Sequence, residues 1–384
     1  MKICLICHEY PPGPIGGIGT MNQILARGLI RNGHEVKVIG LYPLSYPAVE
    51  FEVDQGVQVS RIKMKSTSLF SQYSYWKELH SKVSDWRRNG EIDLIEIPDS
   101  YSWFSLFRKI KVPLVVRTHG TNRFLLHTMQ KPIKRSTSIL EGRLIKRADR
   151  ICAVSNYMAS LTRKLFHVKD EITVIYNGIE KVEKEAVTYQ EEMTPGFQIV
   201  FAGTVEKRKG IYQLVDAALQ LLRNDRDYVF IINGKDSVDT ETGLSVIAEL
   251  KSKIPKEYNK HFVFNGHVTR EQLFFYYYNC RIAVFPSLAE TFGLTPIEAM
   301  SAGIPTIFGE ACAGPEIIDT WVDGVLVNPE KVDEIIEAIS RLKKDSVLRE
   351  RIGRNGVEKV QRCFSAQKMV ADSVKMYEKL IGSR

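Results

Sequence analysis

Glu290 and Glu298 stand eight positions apart on either side of Thr291-Phe292-Gly293-Leu294-Thr295, directly after the apolar run Ile282-Ala-Val-Phe-Pro286. A carboxylate accepts hydrogen bonds from hydroxyls, and backbone N–H groups at a helix start attract an anion. A sugar nucleotide presents both, with hydroxyls on its ribose and sugar and a diphosphate between them. A second constellation lies in Phe201-Ala-Gly203-Thr204-Val205-Glu206-Lys207-Arg208-Lys209-Gly210, at a strand-to-helix junction. Arg208 is a planar two-pronged donor and Lys209 a point charge, a pair suited to a diphosphate. Lys207 reads as facing solvent.

The first half of the chain holds a different set. Gly16, Gly17 and Gly19 cluster in the loop His8–Thr20, after an apolar run and before a helix predicted over Met21–Arg31. Such glycines let the backbone approach a phosphate closely. A dinucleotide fingerprint is the rival, but Asn22 stands where its third glycine belongs, and no acid follows near position 40. His119, in Val115-Val-Arg-Thr-His119-Gly120, falls just past a strand end, where open parallel sheets gather ligands. An imidazole there, neutral or charged, can donate to a leaving phosphate or a sugar hydroxyl.

Two motifs are set aside. Cys4-Leu-Ile-Cys7-His8 matches a haem-attachment pattern, yet positions i and i+3 of a strand point to opposite faces. It reads as a buried strand with reduced thiols. Asp225-Arg-Asp227 matches a metal-holding acidic pair, but it sits in a polar turn before Tyr228–Asn233, at the wrong end of a parallel strand. Neither metal nor redox cofactor is expected.

The elements that must position these residues alternate between short apolar runs and amphipathic stretches, the βαβ pattern of parallel sheets. Strands are predicted at Lys2–Cys7, Glu35–Ile39, Asp93–Ile97, Leu114–Arg117, Arg150–Val154 and Thr173–Ile175. A second series follows at Phe197–Ala202, Tyr228–Asn233, Phe262–Phe264, Ile282–Phe285 and Pro305–Phe308. Lys181–Pro195, polar and without apolar period, reads as a linker. After Ser365, a candidate cap, Val370, Val374, Tyr377 and Ile381 mark the apolar side of a final helix. The chain of 384 residues, 44% hydrophobic and 26% charged, suits two ordinary globular domains.

Pro286-Ser287, Glu290, Phe292-Gly293-Leu294, Glu298-Ala299-Met300 and Gly303-Ile304-Pro305 resemble the signature of retaining glycosyltransferases of family 4 (glycosyl transferases group 1). The resemblance extends over nearly the whole chain and is strongest in residues 197–330. It implies an α/β chain of GT-B fold, two Rossmann-like domains with parallel sheets facing across a cleft. Residues 1–185 would form the acceptor side, residues 186–365 the nucleotide-sugar side, and helix 366–384 would cross back to the first domain.

By the same resemblance the enzyme transfers a hexose-type sugar from a UDP- or GDP-sugar to an acceptor hydroxyl of a glycan, glycolipid or small metabolite, with retention and without a metal. Glu290 and the backbone of Phe292, Gly293, Leu294 and Thr295 would hold the donor sugar and diphosphate, and Glu298 the ribose. Val268, in Asn265-Gly266-His267-Val268, would lie beside the base. Gly16, Gly17 and Gly19 would touch donor or acceptor, and His119, Lys209 and Arg208 would serve the reaction centre. Thr204 departs from the pattern, standing where many members carry arginine. A sugar-nucleotide epimerase and a non-catalytic sugar-nucleotide-binding subunit are the rival readings.

Charge is divided unevenly. Residues 1–184 carry 28 Lys/Arg against 17 Asp/Glu, and the remainder 25 against 28. Residues 105–150 alone hold 12 basic residues and two acids, Glu141 and Asp149. This suggests an anionic membrane surface or a polyanionic acceptor rather than nucleic acid, and for the membrane Arg123-Phe-Leu-Leu126, Lys131, Lys134-Arg135 and Arg143–Arg147 would form an interfacial patch. A cytoplasmic protein, peripheral at the inner membrane face, is expected.

Overall fold

Short apolar runs fold as parallel strands, and the amphipathic stretches between them form the returning helices. The computed structural model describes residues 1–12, 16–124, 135–239 and 242–382. The chain divides into two units, Met1–Glu180 with Ser365–Arg384, and Lys181–Phe364.

In the first unit the strands are β1 Lys2–Ile6, β2 Glu35–Pro43, β3 Phe51–Asp54, β4 Val57–Met64, β5 Leu94–Pro98, β6 Leu114–Thr118, β7 Arg150–Ala153 and β8 Thr173–Val174. Among the described residues they form one sheet in the order β3-β4-β2-β1-β5-β6-β7-β8. The pairs are parallel apart from β3 with β4. Winding therefore reverses between β1 and β5. In the second unit β9 Phe197–Ala202, β10 Tyr228–Asn233, β11 Phe262–Gly266, β12 Ile282–Phe285, β13 Thr306–Gly309 and β14 Val325–Val327 are parallel throughout. Their order, β11-β10-β9-β12-β13-β14, reverses between β9 and β12.

Three strands were not expected. β3 and β4 form a hairpin whose two-residue turn, Gln55-Gly56, has φ of 49° and 90°. Two left-handed residues match the twist of paired strands, and here Gln takes the place usually held by Asn or Asp. β3 sits at the sheet edge with Phe51 and Val53 exposed, so it lacks the buried run that marks the inner strands. β14 is three residues long, too short for a periodic signal. The first helix spans Gly17–Arg31, beginning four residues before its predicted start and taking in Gly17 and Gly19.

Residues 181–195 do not hang free. The Thr188 N–H donates to Glu271 (2.9 Å), and the Tyr276 hydroxyl donates to Glu191 (2.7 Å), which fixes this stretch along helix Arg270–Asn279. The aromatic run of that helix, Phe274 to Tyr277, is buried core.

The final helix, Ala366–Gly382, belongs to the first unit. Ser365 accepts from the Lys368 N–H (3.3 Å), and the Ala366 N–H donates to the Ile179 carbonyl (2.9 Å). Deeper, Arg117 of β6 grips Glu96 of β5 through two hydrogen bonds, 2.6 and 3.1 Å, with both side chains almost wholly buried. The helix closes over them. The Tyr377 hydroxyl donates to Glu96 (2.6 Å), and Arg117 also donates to the Ser373 hydroxyl (3.2 Å). A buried ion pair is tolerated when most of its remaining lone pairs and protons are met, and the helix meets one on each partner, leaving Arg117 Nη1 without a hydrogen-bond partner among the described residues. Removing one partner strands a charge. Arg117→Met is expected to destabilise the first unit by about 3–5 kcal/mol, read as a lowered urea midpoint, whereas Ser373→Ala should cost about 1 kcal/mol or less.

Candidate active site

The second unit's functional residues converge on the winding reversal. In open parallel sheets, ligands bind outside the carboxyl ends of the strands at such a point. β9 runs into Gly203 and then the short 3₁₀ turn Lys207–Lys209, which delivers Arg208 and Lys209; β12 runs into Pro286 and delivers Glu290. The two loops are stitched together by the Leu288 N–H to the Arg208 carbonyl (2.9 Å) and Arg208 Nη1 to the Ala289 carbonyl (3.0 Å).

Lys209 donates directly to Glu290 Oε2, and Arg208 Nη1 lies 4.0 Å from Glu290 Oε1. Arg208 is itself held by Glu206 (2.5 Å), an acid that the motif reading passed over. Burial alone would raise the Glu290 pKa. The Lys209 and Arg208 charges and the Thr291 N–H outweigh it and keep the carboxyl below its ordinary value. Eight residues on, Glu298 shows the opposite balance. Burial raises its pKa, and Arg270 Nε, 3.5 Å away, only partly opposes this.

Between them helix Leu294–Ser301 starts on Gly293, and no side chain caps it. Gly293 has φ 109°, and a Cβ there would meet the Phe308 ring at 2.9 Å, so only glycine admits this approach. The uncapped start offers the Leu294 and Thr295 amides and the positive helix end beside Lys209 and Glu290. Phe292 is buried edge-to-face on Phe364, centroids 5.8 Å apart; its ring is core and only its backbone is available to a ligand. Val268, half-buried, precedes the capped start of helix Arg270–Asn279, whose Arg270 reaches Glu298.

The first unit carries its own cluster at its reversal. His119 follows β6; its N–H and that of Gly120 donate to Asp99 at 3.1 and 3.3 Å. Asp99 follows β5 and is buried, which pushes its pKa up to about 7 against the pull of those amides. His119 Nε2 is buried without a hydrogen-bond partner among the described residues. Burial, with Arg117 adding to it, lowers the imidazole to about 3. The charged imidazole allowed by the sequence is thereby closed, leaving a neutral ring.

Gly16 and Gly19, on either side of Gly17, do not present open amides. The Glu9 carboxylate accepts from the Gly16 N–H (2.5 Å) and the Gly19 N–H, so the start of helix Gly17–Arg31 is occupied by the chain's own anion. Gly19 is required by close approach, since a Cβ there would lie 2.0 Å from the Glu9 carbonyl oxygen. Asp225 and Asp227 both hold Lys343, at 2.7 and 2.8 Å, which accounts for that acidic pair. Cys4 and Cys7 are buried thiols, each raised to about 12 by burial. Sequence reasoning missed Glu9, Asp99 and Arg270. Asp99 had a signal, an acid at the carboxyl end of an apolar run; Arg270 had none.

Set beside known proteins, residues 187–359 match the family described as Glycosyl transferases group 1, and residues 15–182 match Glycosyltransferase Family 4. The chain belongs to the group 1 glycosyltransferases. This glycosyltransferase is 26% identical to an uncharacterised glycosyltransferase of Methanocaldococcus jannaschii, with 98% of each chain covered. It is 27% identical to O-antigen chain mannosyltransferase C of Escherichia coli, over 100% of both. Its fold is GT-B. A sucrose-phosphate synthase from Thermosynechococcus elongatus superposes with a TM-score of 0.81 at 20% identity, covering 100% of this chain and 99% of that one. HepE of Anabaena, solved with UDP and glucose, superposes at 0.76 and 18%, covering 98% and 99%.

The opposed shifts of the two glutamates are measurable. Carbon-13 NMR of the glutamate carboxyls should show Glu290 titrating below, and Glu298 above, the ordinary range. Lys209→Met should carry Glu290 upward past its ordinary value as burial takes over. By linkage, the stabilisation from Glu290 is present above the ordinary carboxylate range and lost as pH falls through its folded value. For Glu298 it is present at acid pH and lost as pH rises through its folded value, so Glu298→Gln should flatten that fall.

Proposed function

We propose that this glycosyltransferase moves a hexose-type sugar from a nucleoside diphosphate sugar to an acceptor hydroxyl, with retention and without a metal ion. The observation that carries this reading is the convergence of Lys209 and Arg208 on Glu290 beside the uncapped start of helix Leu294–Ser301. Two cations and a helix end suit a diphosphate, and Glu290 suits the hydroxyls of the sugar. Because Lys209 is now paired, a diphosphate oxygen can take it over and release Glu290 to the sugar. As the bond to the anomeric carbon breaks, negative charge grows on the departing diphosphate. Preorganised donors aimed at that charge stabilise the transition state more than the ground state.

Glu298, with Arg270 orienting it, is assigned to the ribose diol, and Val268 to the side of the base. We assign the acceptor to the first unit. There the neutral His119 donates or accepts one hydrogen bond, with Asp99 fixing its backbone. Glu9 at the helix start leaves the Gly16 and Gly19 amides to a ligand only after it moves aside. Support for a nucleotide-sugar donor comes from HepE, whose structures hold UDP and UDP-glucose, and from relatives such as glycogen synthase of Mycobacterium tuberculosis, 24% identical over 98% of this chain. Glycan or glycolipid synthesis is the context these names favour.

Two measurements test this. In thermal unfolding, a UDP- or GDP-sugar at about a hundred times its dissociation constant should add roughly 2.7 kcal/mol, unchanged by EDTA; a shift that EDTA abolishes would overturn the metal-free reading. Glu290→Gln should lower kcat/KM by roughly a hundredfold to a thousandfold in protein that remains folded at the assay temperature, with an unfolding midpoint lowered by loss of the pair with Lys209. Full turnover by that variant sinks the central assignment. Conversion of the sugar nucleotide without any acceptor would instead favour an epimerase.

A further inference from the structure

We propose that the outer face of the first unit docks on an anionic lipid surface through helix Leu69–Arg88, the segment from Ser102 to Lys111 and helix Arg135–Arg147. Five large apolar side chains stand in solvent on these elements: Leu69 at 75% exposure, Phe70 at 83%, Tyr73 at 46%, Leu106 at 37% and Ile139 at 67%. Single exposed apolar residues are ordinary, but a group on adjoining elements is not. The adjacency is direct. Both helices pack on the 3₁₀ turn Ser102–Leu106, and the rings of Tyr73 and Phe107 lie 5.4 Å apart.

The surface is also firmly built. His80 Nε2 is 2.8 Å from the Arg108 carbonyl, Arg87 donates to the Lys111 carbonyl (3.0 Å), and Arg147 donates to the Ser105 carbonyl (2.5 Å). The segment is therefore held in place by cations of both helices.

Charge selects the occupant. Residues 69–88, 102–111 and 135–147 contain eleven Lys and Arg against three acids, Glu78, Asp85 and Glu141. Glu141 is fully buried and accepts from the Asn122 N–H (2.9 Å), and Asp85 is paired with Arg88 on its own helix, so cations dominate the outside. Arg135, Ile139 and Arg143 recur at four-residue spacing, an apolar side chain between two cations on one exposed stripe. Apolar groups set among cations match the acyl boundary and the phosphates of a bilayer respectively. No helix among the described residues is long and apolar enough to cross a membrane, so the contact is interfacial.

The apolar part differs from that expected from sequence. Arg123 turns inward to Ser138 (2.6 Å) and the Leu165 carbonyl (2.6 Å), and Phe124 is buried, while residues 125–134, with Leu125, Leu126, Lys131 and Lys134, lie outside the described residues.

The test is flotation of the full chain with vesicles, a binding readout that does not depend on the transferase reading. Vesicles of phosphatidylcholine with about 30 mol % phosphatidylglycerol should carry the protein at about 20 mM salt, and roughly tenfold less at about 300 mM. Pure phosphatidylcholine should carry little. Leu69→Ser with Phe70→Ser, and separately Arg108→Glu with Lys111→Glu, should each reduce binding about tenfold or more, with circular dichroism and the thermal midpoint unchanged. Absence of flotation at low salt overturns the proposal. So does equal binding to neutral vesicles, or wild-type binding by either folded double variant.

Discussion

The pairing of Lys209 with Glu290 is the constraint around which the second unit's site is arranged. Burial opposes the ionised form of Glu290, and the Lys209 and Arg208 charges outweigh it. Together Lys209 and Glu290 hold two loops that leave adjacent strands in opposite directions, and the Arg208 backbone completes the join. The pair is nearly neutral as a unit. Surplus positive character then comes from Arg208 and from the uncapped helix start, both beside it.

The first unit repeats the architecture with the opposite filling. Its sheet also reverses, and a helix also begins after the loop at that point, but Glu9 occupies the amides that the second unit leaves open. Burial, rather than pairing, sets the character of this half: His119 is kept neutral and Asp99 is poised near neutrality. One half is organised to meet charge and the other to present uncharged hydrogen-bonding groups. Arg117 and Glu96 are the exception, a buried pair that the final helix hydrogen-bonds through Ser373 and Tyr377, which makes that helix part of the first unit's core.

Nine of the eleven predicted strands were legible because inner strands of parallel sheets are continuous apolar runs, buried on both faces; the other two, β8 and β11, lie at sheet edges. The hairpin at β3 and β4 was not, since an edge strand exposes half its residues and its turn used Gln55 in a conformation that sequence favours in other residues. Arg208, Lys209, Glu290 and Glu298 could be named as candidates from residue type and strand-end position. Glu206 and Arg270 could not, because their roles depend on side chains brought from other segments or folded back on the same loop.

The sequence by itself determined the class of fold, the places where loops leave the sheets, and which residue types stood there. Those depend on local periodicity and chain order. The tertiary structure decided ionisation and occupancy: that Glu290 is held charged while Glu298 is raised, that His119 is neutral, and that Glu9 fills the glycine loop. Burial and partners across many residues of chain set these states, and neither can be read from the neighbours of a residue in sequence.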